Sequence, residues 1–313
     1  MPETVDVAII GGSFAGLSAA LQLGRASRTA LVIDAGAPRN AVSPAAHGVP
    51  GWDGRTPGEI LDRIRADVRA YPTVTIHEGR AEAVTPLADG TFAVAVSDGQ
   101  RVTSRRIILA YGMVDRLPPI PGLAEGWGRF VLHCPYCHGY EVKGQPLAVL
   151  ARSAMALHVA QLLRADWSDD VTLCLQDAAD IEPAHLAEAE HHGIMVEKRR
   201  IAAVQTAGTG GRLTFEDGCT ADIAAVFVMS DAAFASPLGL DLGCQTMPGP
   251  TGPYLRVGPQ GQTTVPGIFA AGDISRPAPL VTAALSDGVL AGVSAHQSLH
   301  WPERFPSLDR VSP

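Results

Sequence analysis

The sequence predicts an α/β protein made of two Rossmann-like domains of the type that binds a dinucleotide. Three observations predict this fold. A β-branched run near the N-terminus leads into a glycine cluster and then into a helix-forming stretch. An apolar run ending in Gly-Asp lies near the C-terminus, and a strand-helix-strand pattern recurs after residue 146. The 313 residues suffice for about two domains, since a domain commonly has roughly 150 residues.

Composition and charge limit the classes of function. Apolar residues make up 46% of the chain and charged residues 18%, with 33 Gly and 24 Pro, which is typical of a loop-rich globular protein and excludes fibrous classes. The net charge is −8 and Lys and Arg form no run, so no nucleic-acid partner and no membrane surface are expected. No basic leader and no apolar run of about 20 residues is found. We therefore expect a cytoplasmic protein with a small-molecule partner.

The first dinucleotide signature is the turn after the first predicted strand, residues 5–10. Gly11, Ser13 and Gly16 fall on the G-x-G-x-x-G spacing, with the small Ser13 where the backbone approaches a pyrophosphate. The next strand ends in Asp34, close to the distance of about 20 residues expected for a carboxylate that binds a ribose hydroxyl. An ordinary βαβ unit whose glycines only permit close packing is the alternative. The candidate cofactor-binding residues of this unit are Gly11, Ser13, Ala15, Gly16 and Asp34.

A second signature of the same nucleotide lies near the C-terminus. The apolar run at 265–271 leads into Gly272 and Asp273, and a helix is predicted from about Leu280. This element resembles one in flavoproteins with two dinucleotide-binding domains, where the Asp contacts the ribityl and pyrophosphate region of FAD. A turn Asp satisfied by local amides is the alternative. The resemblance implies FAD as cofactor and, with the segment after the 106–109 strand, adds as candidates Ala110, Gly112, Gly272 and Asp273.

The most informative segment is residues 133–141, which contain a C-x-x-C pair, Cys134 and Cys137. This spacing lets two thiols close a small disulfide ring and often lowers the pKa of one of them. A c-type haem attachment site, a zinc site and two buried cysteines without chemistry are the alternatives. Zinc would need two more ligands, and the other cysteines are isolated in sequence. We expect a redox-active pair and no metal.

Over nearly its whole length the chain resembles the low-molecular-weight thioredoxin reductases, in which an FAD domain is split around an inserted pyridine-nucleotide domain carrying the C-x-x-C pair. Residues 134–141, Cys-Pro-Tyr-Cys-His-Gly-Tyr-Glu, are most similar to the dithiol oxidases that close disulfides in gliotoxin, holomycin and romidepsin. Thioredoxin reductases usually have Asp after the second cysteine, where this chain has His138. The resemblance implies a homodimer, an FAD domain at 1–117 and 244–313, and an inserted domain at 118–243.

The inserted domain departs from the family at its own nucleotide turn. The predicted strand at 146–150 is followed by Ala-Arg-Ser-Ala-Met-Ala at 151–156, with none of the expected glycines, which disfavours close approach of a pyrophosphate. After the next strand, Asp177 stands near where NADPH-specific members carry His and Arg, and its charge would repel a 2′-phosphate. We expect NADPH binding to be lost or weak, although Arg152 could still meet a phosphate.

These features predict an FAD-dependent oxidase that forms a disulfide in a small-molecule dithiol, with O2 as acceptor and H2O2 as product. The resemblance implies that Cys137 is the thiol nearer the flavin and that Cys134 meets the substrate. His138 is the candidate base, since a reference pKa of about 6.5 suits proton transfer near neutral pH. The loop at 46–52 is expected to cross near the flavin. The alternative is a thioredoxin or protein-disulfide reductase supplied by NADPH, ferredoxin or another donor.

Overall fold

Strands and helices alternate along the chain, which confirms the predicted α/β class. The computed structural model describes residues 1–176, 181–306 and 308. The elements of the first 150 residues are β1 (Thr4–Ile10), α1 (Phe14–Arg25), β2 (Ala30–Asp34), α2 (Pro57–Arg69), β3 (Val74–Glu78), β4 (Ala81–Pro86), β5 (Phe92–Val96), β6 (Arg101–Leu109), β7 (Met113–Arg116), α3 (Leu123–Gly126), β8 (Val131–Leu132), α4 (Pro135–His138) and β9 (Leu147–Leu150). They are followed by α5 (Met155–Asp166), β10 (Val171–Cys174), α6 (Pro183–His191), β11 (Met195–Glu197), β12 (Ile201–Ala207), β13 (Gly210–Phe215), β14 (Thr220–Ile223), β15 (Ala225–Val228), β16 (Asp231–Phe234), α7 (Leu238–Asp241), β17 (Thr246–Met247), β18 (Tyr254–Leu255), β19 (Ile268–Ala270) and α8 (Val281–Ser298).

The chain forms two compact units. The first comprises residues 1–41, 57–114 and 232–313, and the second comprises 42–56 and 115–231. Three segments therefore differ from the domains expected from the sequence, namely residues 42–56, 115–117 and 232–243. Residues 232–243 belong to the first unit, where the Gly239 N–H donates to the Tyr111 hydroxyl at 3.3 Å. Residues 42–56 belong to the second unit, where a Cβ at Gly128 would come within 2.7 Å of the Val42 carbonyl oxygen.

The first unit is built on a mixed sheet with the order β3-β2-β1-β6-β5-β4, to which β19 adds by pairing with β6. β3, β2, β1, β6 and β19 run parallel, whereas β5 is antiparallel to both β6 and β4. The last four residues of β1 are all buried, as expected for a central strand covered on both faces. This burial explains why residues 7–10 form a continuous apolar run instead of alternating with polar residues.

Helices α1 and α8 pack closely on one face of this sheet. A Cβ at Gly288 would overlap the Ala15 carbonyl oxygen, and one at Gly292 would lie 2.8 Å from the Ala19 carbonyl oxygen. The small residues thus let two helix backbones approach until little space for a side chain remains. Helix α8 has 18 residues and begins at Val281, one residue after the start predicted from the sequence. No described helix has both the length and the apolar character needed to cross a membrane.

The second unit has a parallel sheet with the order β11-β10-β9-β15-β8 and a separate antiparallel sheet, β12-β13-β14. β9 contributes side chains to both faces of the parallel sheet, because successive side chains of a strand point in opposite directions. Leu147 and Val149 pack in one apolar cluster, with α5, while Ala148 and Leu150 pack in a second cluster, with β13. All four residues are at most 1% exposed, so this strand is anchored from both sides.

Candidate active site

The carboxyl edge of the first unit's parallel sheet gathers the predicted cofactor-binding residues. Since β1, β2, β6 and β19 run parallel, their carboxyl ends lie at one edge. Gly11 follows β1, Asp34 ends β2, Ala110 follows β6 and Asp273 lies just beyond β19. Ladder hydrogen bonds continue at these ends, with the Ala110 N–H donating to the Ile10 carbonyl oxygen at 2.8 Å. Four distant segments of the chain thus meet at one place, the usual ligand edge of such sheets.

The turn between β1 and α1 has no space for a side chain at Gly11 or Gly16. Gly11 has a φ of +114°, and a Cβ there would overlap the Ala110 carbonyl oxygen, while a Cβ at Gly16 would overlap the Gly11 carbonyl oxygen. Ser13 is the N-cap residue of the 12-residue α1, and its side chain forms no capping hydrogen bond. The N–H groups at the start of α1 therefore remain directed at the turn, where they favour an anion. This cradle fits the pyrophosphate of a dinucleotide.

Asp34 lies beside a cavity of about 500 Å³ in the first unit. Its side chain is 13% exposed, and Oδ2 lies 3.2 Å from Nη2 of Arg65, while Oδ1 accepts the Gly36 N–H at 2.9 Å. The carboxylate keeps further lone pairs, so it can still accept from a ribose hydroxyl. Arg65 lies on α2, 31 residues away in sequence, and no local motif pointed to it.

Asp273 is paired with a cation that no motif in the sequence indicated. Nη1 of Arg39 donates to Oδ2 of Asp273 at 3.0 Å, and the two side chains are only 17% and 20% exposed. The two residues are 234 positions apart. The only sequence signal was a basic residue shortly after β2, which is too common to single out. With one oxygen held by Arg39, the orientation of the carboxylate at this edge is fixed.

The thiol pair lies in the second unit at the start of the short helix α4. Cys134 is its N-cap residue and Pro135 its first residue, as suits a ring with a fixed φ at that position. The two cysteines are free thiols, both partly buried, and their Sγ atoms are 2.7 Å apart. The short helix thus brings the thiols within reach of disulfide formation.

The two thiols differ in proton affinity. A hydrogen bond from the Cys137 thiol, supported by backbone N–H groups of Cys137 and Tyr136, lowers the pKa of Cys134 to about 7 despite its burial. The hydrogen bond to Cys134, burial and the nearby Cys134 charge raise the pKa of Cys137. As the pH rises through about 7, Cys134 therefore becomes the thiolate, while Cys137 keeps its proton.

The histidine that follows the pair is partly buried. Burial lowers the pKa of His138, the Glu141 carboxylate opposes this shift, and His47 and His133 add to it. A histidine with a lowered pKa is neutral at pH 7 and can accept a proton. His47 lies on the loop at 42–56, with Nε2 3.4 Å from Oε1 of Glu141. The sequence pointed to this loop but not to His47 as a functional residue.

The turn after β9 has a different backbone from the turn after β1. Ala151, the counterpart of Gly11, does not have a positive φ. Among the described residues, the non-glycine residues with a positive φ are Ser27 and Gln176. Nη2 of Arg152 lies 2.9 Å from Oδ2 of Asp231, so this cation is already paired. The predicted effect of Asp177 falls outside the described residues. Among the described side chains, no group of three or more His, Cys, Asp or Glu residues could hold a metal ion.

The sequence matches a known protein family over most of its length. The model for pyridine nucleotide-disulphide oxidoreductases matches residues 5–288. The chain belongs to this family. It is therefore a flavoprotein and a flavin-dependent disulfide oxidoreductase, and the resemblance to thioredoxin reductases that the motifs predicted is confirmed. The cradle after β1 fits the dinucleotide part of such a cofactor on its own geometry.

Relatives and solved structures of this oxidoreductase family match almost the whole chain. It is 30% identical to thioredoxin reductase sirT of Leptosphaeria maculans, over 93% of each protein, and 34% identical to thioredoxin reductase tcpT of Claviceps purpurea, over 94% of each. An oxidoreductase from Agrobacterium tumefaciens superimposes with a TM-score of 0.89 and 41% identity, covering 96% of this chain and 99% of that one. HlmI superimposes with a TM-score of 0.89 and 32% identity, covering 97% and 95%.

Proposed function

We propose that the protein is an FAD-dependent dithiol oxidase, which closes a disulfide in a small-molecule dithiol and passes the electrons to O2, giving H2O2. The observation that carries this proposal is the contrast between the two Rossmann turns. The turn at Gly11 excludes side chains and leaves the α1 N-terminus available, whereas the turn at Ala151 lacks the positive φ and its cation is paired with Asp231. This contrast supports dinucleotide binding in the first unit and argues against NADPH as donor in the second.

The thiol pair supports a two-step exchange with the substrate. Starting from the Cys134–Cys137 disulfide, one substrate thiolate attacks Sγ of Cys134, the S–S bond breaks and Cys137 leaves. Burial favours the neutral thiol, so Cys137 takes up a proton as it leaves. The second substrate thiolate then attacks the substrate sulfur of the mixed disulfide, and Cys134 leaves as a thiolate. A low thiol pKa makes a good leaving group, so the lowered pKa of Cys134 favours release of the cyclic product.

His138 handles the protons of this exchange in the proposed scheme. As a neutral imidazole it accepts the proton of the first substrate thiol and returns one to Cys137, its neighbour in sequence. It accepts a second proton when the other substrate thiol reacts. The enzyme then holds the two electrons removed from the substrate as a reduced pair, with a thiolate at Cys134, a thiol at Cys137 and the second proton on His138. The bound flavin supplies the remaining chemistry, which is to accept these electrons and deliver them to O2.

Two aromatic side chains near the pair support a small, apolar substrate. Tyr136 and Tyr140 flank Cys137 and are 74% and 78% exposed, and the Tyr136 ring packs edge-on against Trp167 with 5.6 Å between centroids. Exposed aromatic rings offer flat apolar surface at low entropic cost. We propose that they contact the ring system of the dithiol.

An anaerobic titration of the purified flavoprotein tests the function. A small cyclisable dithiol is added to one sample and NADPH to another, the flavin absorbance is followed, and air is then admitted. We expect bleaching by the dithiol, loss of this bleaching in Cys134→Ser and Cys137→Ser, and return of absorbance with stoichiometric H2O2 in air. Rapid stoichiometric bleaching by NADPH, without peroxide on aeration, would instead identify the protein as a reductase supplied by NADPH.

A further inference from the structure

His47 lies between two carboxylates of the second unit. Its Nδ1 is 3.4 Å from Oδ2 of Asp53, and its Nε2 is 3.4 Å from Oε1 of Glu141. The His47 side chain is 22% exposed, compared with 65% for Asp53 and 43% for Glu141. A neutral imidazole carries one N–H group, whereas an imidazolium carries two. Only the imidazolium form can donate to both carboxylates at once.

The loop that carries His47 is held by its own hydrogen bonds. The Ala46 N–H donates to the Arg55 carbonyl oxygen at 2.8 Å, and the Gly54 N–H donates to the Ala46 carbonyl oxygen at 3.0 Å. The Gly48 N–H donates to Oδ1 of Asp53 at 2.7 Å. This hydrogen bond lowers the pKa of Asp53, with a further contribution from the contact with His47. The backbone and Asp53 thus fix the imidazole in the position from which it reaches Glu141.

Glu141 also acts on His138. Burial is the main cause that lowers the pKa of His138; the Glu141 charge raises this pKa, while His47 and His133 lower it further. A carboxylate that is bound to an imidazolium stabilises a second imidazolium less well, because its charge is already partly balanced. His47 and His138 therefore compete for the charge of one carboxylate.

We propose that His47 is a positioning residue for the thiol chemistry: from its place between Asp53 and Glu141 it fixes the orientation of the Glu141 carboxylate, three residues after His138. This inference rests on the proposed function only for its purpose, which is to keep His138 neutral and ready to accept a substrate proton. The structural coupling itself exists whether the protein works as an oxidase or as a reductase. Nothing in the local sequence links His47 to Glu141, since 94 residues separate them.

A histidine titration by NMR tests the coupling without turnover. The holoprotein is labelled at histidine, the His138 signal is assigned with His138→Gln, and its midpoint is followed against pH. In His47→Ala we expect this midpoint to rise by about 0.5 to 1 pH unit, because Glu141 is released and a positive charge is lost. His47→Gln keeps an N–H donor for Glu141, so it should raise the His138 midpoint less than His47→Ala does. The matched control is His77→Ala, since His77 forms a similar pair with Asp98 at 3.0 Å in the first unit; it should leave the midpoint unchanged.

A second background separates the route through Glu141 from direct repulsion between the histidines. In Glu141→Gln the His138 midpoint should fall, and adding His47→Ala should then move it less than in the wild type. An unchanged midpoint in His47→Ala, or an equal shift in both backgrounds, would overturn the inference. If the midpoint shifts as expected but dithiols do not bleach the flavin, the inference stands and the oxidase proposal fails. If dithiols bleach the flavin but the midpoint does not shift, the oxidase proposal stands and the inference about His47 fails.

Discussion

The two thiols of the redox pair have different environments although three positions separate them in sequence. Cys134, at the N-cap of α4, receives a hydrogen bond from the other thiol and lies near two backbone N–H groups. Cys137 lies inside the helix and faces the charge that Cys134 carries. This asymmetry gives each thiol a separate part in the proposed exchange, since one leaves readily as a thiolate and the other holds a proton.

Alkylation of the reduced protein should report this asymmetry. We expect the rate of alkylation of Cys134 by iodoacetamide to rise with pH, with a midpoint at the lowered pKa of about 7. In Cys137→Ala the thiolate loses its main donor, so the midpoint should move up toward the ordinary value of 9.0. The rates are measured by mass spectrometry in a Cys219→Ser background, because Cys219 is exposed. Equal midpoints with and without Cys137 would contradict this account.

At the scale of elements, the same strand-turn-helix unit occurs twice with different turns. In the first unit the turn between β1 and α1 has no space for side chains at Gly11 and Gly16. In the second unit the turn between β9 and α5 accommodates alanine at Ala151, which is completely buried. The packing of β9 and α5 is kept, so this unit can hold the thiol pair without using its turn to bind a nucleotide.

Gly16→Ala tests the first of these turns. The new methyl group would overlap the Gly11 carbonyl oxygen, which is backbone and cannot move aside without opening the turn. We expect the variant to fold but to retain flavin at least about tenfold more weakly, in line with losing one or more charge-assisted hydrogen bonds. Flavin retention is measured by absorbance after gel filtration, with circular dichroism to check folding. Ser13→Gly is the control and should retain flavin, because it restores the commoner residue of the motif.

At the scale of the whole molecule, an apolar face of α8 remains exposed. Val289, Leu290 and Val293 are 37%, 44% and 38% exposed, and their spacing places them on one side of the helix. Exposed apolar patches of this kind commonly mark interfaces. Together with the family resemblance, this supports a homodimer, and we propose that α8 contributes to its interface.

Leu290→Glu should disrupt that interface, because it places a charge where apolar side chains would be buried. We expect the wild type to elute as a dimer of the 32.7 kDa chain and the variant to elute as a monomer, measured by size-exclusion chromatography with light scattering. Thr75→Glu introduces the same charge at an exposed position of β3 and serves as the control. A wild-type monomer, or a variant that stays dimeric, would exclude this role for α8.

The sequence by itself determined the α/β fold, the family and the two motifs, since each of these depends on residues close together in the chain. Spacing alone identifies both motifs, the glycines at 11 and 16 and the cysteines at 134 and 137, because local backbone geometry determines how residues so spaced are arranged. A continuous apolar strand such as β9 likewise shows its burial in its own composition.

Only the tertiary structure decided which charges meet. Arg39 with Asp273, Arg65 with Asp34, and His47 with Glu141 join residues from separate elements, and nothing in the spacing of such pairs distinguishes them from solvated surface charges. The boundaries of the two units were also decided in this way, because residues 42–56 lie within the first unit's sequence but pack in the second. Folding sets these contacts through the register of the sheets and the path of the loops, which depend on the whole chain.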